Sequence, residues 1–331
     1  MRPIVLMVLL LNLTSPSAAN DTTAEIAVGG LRLTQSDAIS LDKEELYISR
    51  DEVRVDYVFT NTTSKDVETL VAFPLPEQGF PDGEDSEIYN LGKDLEFKTL
   101  VDGKPVQYEV VTQALAGGEE ISALLDKVGL RIDAQWKDGV TPDATLASVD
   151  AAARAKLIAL GALKNEGSEA EPFYMQKWVV QTSVTRKQVF KADATVKVQH
   201  RYKPLAGGSV GGGLSPEYRN EDWAKQNITK FCIDDSWLKS FDKQLPKHIS
   251  DQNSTGYNEI WLGYVLKSGA NWKGPIKDFS LVIDKGKADS LVSFCGEGVK
   301  KISPTQFEIR KKDFEPTQDL NVLIVDWWKP E

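Results

Sequence analysis

The residues of this chain whose order best fits an enzyme are a serine, two aspartates and a histidine. Ser209 lies in a glycine-rich G-x-S-x-G pattern, and Asp234 or Asp235 and then His248 follow it in the order acid, then base. In a serine hydrolase the histidine removes the serine proton, and the aspartate fixes the tautomer of the imidazole. A nucleophile elbow needs a sharp turn from a strand into a helix, whereas residues 207–213 form a glycine run that we expect to be a flexible connector. A hydrolase is therefore the alternative hypothesis, and the sequence favours a protein without catalytic activity.

Ligands for a transition metal are scarce. The chain has two histidines, His200 and His248, and two cysteines, which are too few for a structural zinc site if the cysteines are oxidised. His200 lies in an alternating strand pattern, where a hydrogen-bonded structural histidine is expected and a ligand or partner contact is the alternative. We expect no cofactor.

Calcium has a better supply of oxygen ligands in one acidic segment. This segment follows Pro81 and contains Asp82, Glu84, Asp85 and Glu87. Its spacing differs from that of the EF-hand loop, so a solvated acidic loop is the default interpretation and a calcium site is the alternative.

Eight tryptophans give the chain a second kind of candidate contact. Indole rings fill hydrophobic cores, anchor protein interfaces and stack on flat apolar faces such as those of sugars. Core packing is the default interpretation of the tryptophans, and Trp272, Trp327 and Trp328, together with His200, are the candidates for ligand or partner contacts. Because adjacent residues in a strand face opposite ways, one of Trp327 and Trp328 is expected to be exposed.

These side chains must be positioned by a mainly β framework. Val53, Val55, Tyr57 and Phe59 alternate with polar residues, which is typical of a half-buried strand, and Asp102-Gly103 is a strong hairpin signal. Several short strands of this kind predict antiparallel β-sandwich regions. Apolar residues at helical spacing then indicate a helical insertion, which we expect to pack on a sheet as a lid. The predicted organisation is a signal peptide at 1–19, an N-terminal β-sandwich at 20–113, the helical insertion at 114–171 and a C-terminal β region at 172–331.

The beginning of the chain has the features of an export signal. Arg2 precedes an apolar run that is about half as long as a membrane-spanning helix, and small residues precede a predicted cleavage site after Ala19. An uncleaved anchor is the alternative. An even number of cysteines in an exported chain indicates one disulfide, between Cys232 and Cys295, with two separate buried thiols as the alternative. We therefore predict a periplasmic or secreted protein whose mature chain does not span a membrane.

Charge limits the classes of partner. The chain carries 49 acidic and 39 basic residues, a formal net charge of −10. An acidic surface repels phosphate backbones, so we expect no nucleic acid partner. An envelope protein or a glycan is the expected partner.

Several longer segments resemble a bacterial family of exported proteins, the domain of unknown function 4424 family. The likeness is carried by 51–55, 70–76, 200–204, 269–286 and 291–295, and it extends over essentially the whole predicted mature chain. The resemblance implies a periplasmic, mostly β protein and supplies no catalytic residues. Phe59-Thr60-Asn61 and Phe73-Pro74-Leu75-Pro76 also resemble the strand pair that opens vault/inter-alpha-trypsin-type β-sandwich domains, but a shared fold does not transfer function.

The function that we expect is that of an exported, non-catalytic binding or protein-interaction module of the bacterial cell envelope. It would act through exposed tryptophans near the glycine run. A purely structural envelope protein is a third hypothesis.

Overall fold

The computed structural model describes residues 20–27, 30–79, 95–130, 132, 149–168, 170–249 and 256–328. The predicted fold class is confirmed, because the protein is mainly β and most of its strands pair antiparallel. The acidic segment with Asp82, Glu84, Asp85 and Glu87 lies outside the described residues, and so does much of the predicted helical insertion, at 131 and 133–148.

The first sheet has six strands. In spatial order they are β2 (Gly30–Thr34), β1 (Thr22–Ala27), β5 (Val67–Pro74), β12 (Val179–Phe190), β8 (Glu109–Ala116) and β9 (Glu119–Glu120).

The second sheet has eight strands. In spatial order they are β18 (Lys300–Lys301), β19 (Gln306–Phe314), β16 (Ile276–Asp284), β3 (Ile39–Ser49), β4 (Val53–Asn61), β13 (Thr195–Tyr202), β6 (Lys98–Val101) and β7 (Lys104–Pro105). Strand β16 pairs with β3 in parallel, so strands from the two ends of the chain lie side by side.

The third sheet has four strands. In spatial order they are β14 (Ala206–Val210), β15 (Tyr257–Tyr264), β20 (Leu320–Trp327) and β17 (Leu291–Phe294). A separate two-stranded ribbon consists of β10 (Leu163–Asn165) and β11 (Tyr174–Gln176).

One large core lies between these sheets. It contains buried residues from all three larger sheets, including Tyr57 on β4, Phe73 on β5 and Tyr264 on β15. Strand β4 is buried at every second residue from Val53 to Asn61, as its alternating sequence predicts. This core therefore joins strands from both sides of the predicted boundary at 172, and the domain division itself stays a prediction.

The helices lie in two segments. They are α1 (Ser122–Lys127), α2 (Ala151–Ala159), α3 (Asp222–Lys230) and α4 (Asp235–Gln244), with short 3-10 turns at Leu245–Lys247 and Lys267–Asn271. Helices α1 and α2 lie in the predicted insertion and bury Leu125 and Leu157 in a second core around Trp178. Asp150 caps α2 by accepting bonds from the backbone N–H groups of Ala152 and Ala153, which satisfies donors that the helix leaves unpaired.

Two sequence expectations need correction. The hairpin at Asp102-Gly103 is confirmed, but its second arm β7 has only two residues, and the chain then passes to the first sheet as β8. The expectation of a loop from Gly207 onward is wrong as far as Val210, because residues 206–210 form β14 and pair with β15. Glycine disfavours strands only weakly, so pairing with β15 decides the structure.

A disulfide joins Cys232 to Cys295, as predicted, with 5.1 Å between the Cα atoms. It connects the end of α3 to the residue that follows β17, and so fastens the helices beside the third sheet to that sheet. No helix in the described part of the chain is long and apolar enough to cross a membrane.

Candidate functional site

The structure does not connect the predicted hydrolase residues by hydrogen bonds. The Ser209 hydroxyl lies 3.4 Å from the carbonyl oxygen of Gly211, and Asp234 caps α4 by accepting from the backbone N–H of Trp237 at 2.8 Å. His248 Nδ1 lies 2.8 Å from the carbonyl oxygen of Trp328, a bond that the ring makes as donor. Each side chain thus has a separate partner, and no hydrogen bond connects the three within the described ranges.

Strand β14 lies at an edge of the third sheet and packs closely on β15. A Cβ atom at Gly208 would lie 2.6 Å from the backbone oxygen of Glu259, and one at Gly212 would collide with the carboxylate of the same residue. The Tyr257 hydroxyl closes this contact, because it donates to the carbonyl of Gly212 at 2.9 Å and accepts from its N–H at 3.0 Å. Glycine is therefore required at these positions because two segments of the chain approach each other closely.

Glu259 is the ionisable group under the glycine run. Its side chain is 4% exposed, and its Oε2 accepts from Trp261 Nε1 at 2.9 Å. Its Oε1 has no hydrogen-bond partner among the described residues, and burial raises the pKa of the carboxyl. Sequence reasoning missed this residue, although Tyr257 and Glu259 face the same side of β15 by simple alternation.

Three large side chains that are close to the glycine run in the sequence are exposed. Val210 at the end of β14 is 64% exposed, Tyr218 in the following turn is 48% exposed and Trp223 at the start of α3 is 49% exposed. A Cβ atom at Gly213 would lie 2.7 Å from the Trp223 ring, so this indole lies against the glycine run. We call the exposed residues Gly207, Gly208, Val210, Tyr218 and Trp223 the glycine edge.

A second polar site is buried in the large core around Asp21. This carboxylate accepts from Arg186 Nη2 at 2.9 Å and from His200 Nε2 at 3.1 Å, and Trp272 Nε1 donates to the backbone oxygen of Asp21. Thr99 Oγ1 lies 3.0 Å from the other ring nitrogen of His200. The structure thus brings together two of the predicted contact residues, His200 and Trp272, in a place where both are at most 3% exposed.

The charges of this site follow from these contacts. Burial alone would raise the pKa of Asp21, but Arg186 and His200 outweigh it and hold the pKa at about 2. Burial lowers the pKa of His200 more than Asp21 raises it, so the imidazole is neutral at pH 7. In the neutral tautomer that satisfies both bonds, Nε2–H donates to Asp21 and the Thr99 hydroxyl donates to Nδ1.

Asn20 and Glu44 form the other half of the buried site. The Asn20 side chain accepts from the hydroxyls of Tyr57 at 2.6 Å and Tyr264 at 2.9 Å, and it donates to Glu44 Oε2 at 3.0 Å. Its backbone N–H donates to Ser268 Oγ. Glu44 is fully buried, and burial raises the pKa of its carboxyl to about 8.

Trp327 and Trp328 lie elsewhere, at the end of the third sheet. Trp327 is 7% exposed, packs in a third core with Phe241 and Tyr257, and stacks on His248 with 4.9 Å between the ring centres. Trp328 follows β20 and is intermediate in exposure. The predicted contact residues therefore fall into two separate groups, and their role as contacts stays a prediction.

No cluster of three or more histidine, cysteine, aspartate or glutamate side chains in the described ranges is arranged to hold a metal ion.

Comparison with known proteins gives a family and two distant structural likenesses. The family model named domain of unknown function DUF4424 matches residues 19–323. A search of the curated proteins gives no match. A candidate nutrient binding protein from Legionella pneumophila subsp. pneumophila str. Philadelphia 1 is 13% identical, with a TM-score of 0.42, over 93% of this chain and 70% of its own. The M1 zinc metallopeptidase from Deinococcus radiodurans is 8% identical, with a TM-score of 0.27, over 88% of this chain and 43% of its own. Both TM-scores are too low for any conclusion about this chain.

Proposed function

The chain belongs to the DUF4424 family, and we propose from that premise that it is an exported, non-catalytic binding module of the bacterial cell envelope. In this proposal a signal peptide directs export and is removed after Ala19. The disulfide between Cys232 and Cys295 supports an oxidising compartment, because such bonds persist mainly outside the cytoplasm.

The observation that carries the proposal is that Trp223 lies against the glycine run while about half of its surface is exposed. A half-exposed indole that is held against a backbone is a typical anchor for a partner, because it offers a large apolar area and loses little entropy on binding. Val210 and Tyr218, which are close to Trp223 in the sequence, are also exposed.

The absence of catalysis is supported by the contacts of the hydrolase candidates. Catalysis by a serine needs the histidine within hydrogen-bond reach of the hydroxyl, and an aspartate on the other ring nitrogen. His248 instead donates through Nδ1 to a backbone carbonyl and stacks on Trp327.

We further propose that the ligand is an extended peptide segment of another envelope protein. Strand β14 is the outermost strand of its sheet among the described residues, and an added strand would pair with it along Gly207–Val210. Its two glycines leave that edge without bulky side chains, and the neighbouring Trp223 would then cover the added strand.

The test compares Trp223→Ala and Val210→Lys with Phe173→Ala. Phe173 is a matched control, because it is 47% exposed and lies in the segment before β11, away from the glycine edge. Tagged proteins are exported, cross-linked in the envelope and purified, and the cross-linked peptides are identified by mass spectrometry. We expect the recovery of one partner to fall about tenfold with both glycine-edge variants, since loss of an anchor residue or a charge on the edge weakens pairing. Its recovery is expected to be unchanged with Phe173→Ala.

Equal recovery of every partner with all three variants would show that the glycine edge binds no protein. If cell-wall glycan fragments instead quench tryptophan fluorescence in the unaltered protein and not in Trp223→Ala, the ligand is a glycan and the peptide proposal is wrong.

A further inference from the structure

The residue that follows the predicted cleavage site has a fully buried polar environment. Asn20 is completely buried and every polar group of its side chain has a partner. Ser268 Oγ accepts from the Asn20 backbone nitrogen and donates to the Asn20 backbone oxygen at 2.8 Å. The beginning of the described chain is thus held inside the large core.

Hydrogen-bond counting reveals one missing donor beside Asn20. Glu44 is fully buried, and its Oε2 accepts from Asn20 Nδ2 at 3.0 Å. Its Oε1 has no partner within the described part of the chain. A buried carboxylate oxygen without a donor is costly, so this site calls for a further N–H group.

Charge counting gives the same result. The Asp21 carboxylate is paired with the Arg186 guanidinium at 2.9 Å, and His200 is neutral, so neither supplies a cation to Glu44. No lysine or arginine side chain within the described ranges forms an ion pair with Glu44. The groups around it are Asp21 and the tyrosines 57 and 264, of which the first repels a second negative charge.

We propose that removal of the signal peptide creates a buried α-ammonium group at Asn20, which forms an ion pair with Glu44 and locks the mature N-terminus into the core. The reaction is hydrolysis of the peptide bond between residues 19 and 20. Water supplies the hydroxyl of the new carboxyl group on residue 19, and the Asn20 nitrogen takes protons to become –NH3+. This inference rests on the proposed export and cleavage.

The new ammonium group supplies both the N–H donors and the positive charge that the site lacks. An amide nitrogen offers one N–H, which Ser268 already accepts, whereas an ammonium offers three. One of the additional donors would serve Glu44 Oε1, since the side-chain amide of Asn20 already holds the other oxygen of that carboxyl at 3.0 Å, next to the backbone nitrogen of the same residue. The pair would hold Glu44 ionised at neutral pH, whereas without it burial keeps the carboxyl protonated.

The experiment compares two chains that differ only in whether Asn20 is the first residue. One is released from a fusion so that it begins at Asn20, and the other carries Gly-Ser ahead of Asn20; both are prepared with the disulfide formed, with Glu44 or with Glu44→Gln. We expect the melting temperature of the chain that begins at Asn20 to be higher by about 5 °C, since the other chain lacks the buried ion pair. In Glu44→Gln this difference is expected to disappear.

A second measurement does not depend on the stability of the variant. An acylating reagent at neutral pH is expected to label surface lysines of the native chain, while its α-amino group reacts only after unfolding. Equal melting temperatures of the two chains with Glu44 present, or rapid acylation of the native α-amino group, would overturn the ion pair.

Cleavage is tested separately by the mass of the chain recovered from the envelope, which we expect to begin at Asn20. A different first residue would contradict the proposed cleavage site whatever the engineered chains show, so the two failures are distinguishable.

Discussion

At the scale of single residues, the buried carboxylates divide into one that is paired and one that lacks a cation. Asp21 has a guanidinium and an imidazole as partners, whereas Glu44 has neutral donors only. Burial disfavours the ionised form of both carboxyls, so their hydrogen-bond and charge partners decide which of them ionises. The pKa of Asp21 is held at about 2, and that of Glu44 rises to about 8.

Asp21→Asn is expected to destabilise the protein strongly. It would leave the Arg186 side chain buried without its counter-ion, which costs about 3–5 kcal/mol. Because the pKa of Asp21 is lower in the folded state than its ordinary value of 3.8, its stabilising effect is complete above pH 3.8 and is lost as the pH falls towards 2. Urea unfolding at pH 7 and acid unfolding between pH 4 and 2 measure these effects.

Asp66→Asn is the matched control for this prediction. Asp66 also pairs with a cation, Lys191 at 2.7 Å, but both side chains are exposed to solvent. We expect a clearly smaller change, since solvent screens such pairs. Similar losses in both variants would contradict a special role for burial at Asp21.

At the scale of elements, the glycine run shows how a partner strand overrides a local pattern. Residues 206–213 have the composition of a loop, but β15 provides a pairing surface and Glu259 leaves no space for a side chain at Gly212. The close approach follows from contacts between segments about fifty residues apart, so the sequence pattern alone does not reveal it. Glycine is required here for its size.

Gly212→Ala is expected to lower the free energy of unfolding by about 1–3 kcal/mol, because the new methyl group must displace the buried Glu259 carboxylate. Gly79→Ala is the control, since a Cβ atom there has no neighbour within 4 Å. Chemical unfolding of both variants checks this prediction. Equal stability of Gly212→Ala and the unaltered protein would show that the glycine run packs less tightly than described.

Much of the framework could be predicted because it depends on neighbouring residues. Alternation from Val53 to Phe59 identified β4, and two cysteines in a chain with an export signal identified the disulfide. Helices α3 and α4 were missed, although Asp234 before α4 is a good N-cap.

The buried site could not be predicted, because it depends on register between distant strands. Glu44 stands in a charged stretch that looks solvent-exposed. A register shift between residues 41 and 43 lets both Leu41 and Glu44 face the core, and alternation from Ile48 and Leu46 leads to the same side. Glu44 is bonded by Asn20, Asp21 by Arg186 on β12 and His200 on β13, and Asn20 in turn by Ser268 in the 3-10 turn at Lys267–Asn271. No local pattern brings these segments together.

At the scale of the whole molecule, one covalent bond connects the helices after the glycine run to the third sheet. The bond between Cys232 and Cys295 closes a loop of 63 residues. In the chain-entropy model a loop of this size contributes about 4 kcal/mol, because it restricts the unfolded chain.

Reduction of this bond is therefore expected to lower the free energy of unfolding by about 4 kcal/mol. Urea unfolding with and without a reducing agent measures the difference, and the double variant Cys232→Ser, Cys295→Ser serves as the control, because the agent should not change it. If the agent also weakens the double variant, the loss does not come from the disulfide.

The parallel pairing of β3 with β16 sets an order on how the chain can fold. Leu46 lies beside Leu281, so the centre of the eight-stranded sheet joins residues more than two hundred positions apart. A chain emerges from the ribosome with its N-terminus first, and pairings between distant segments form slowly. The edge of β3 that faces β16 therefore has its native partner only after β16 is present. The eight-stranded sheet thus contains N-terminal strands whose pairing depends on a strand from the last quarter of the chain.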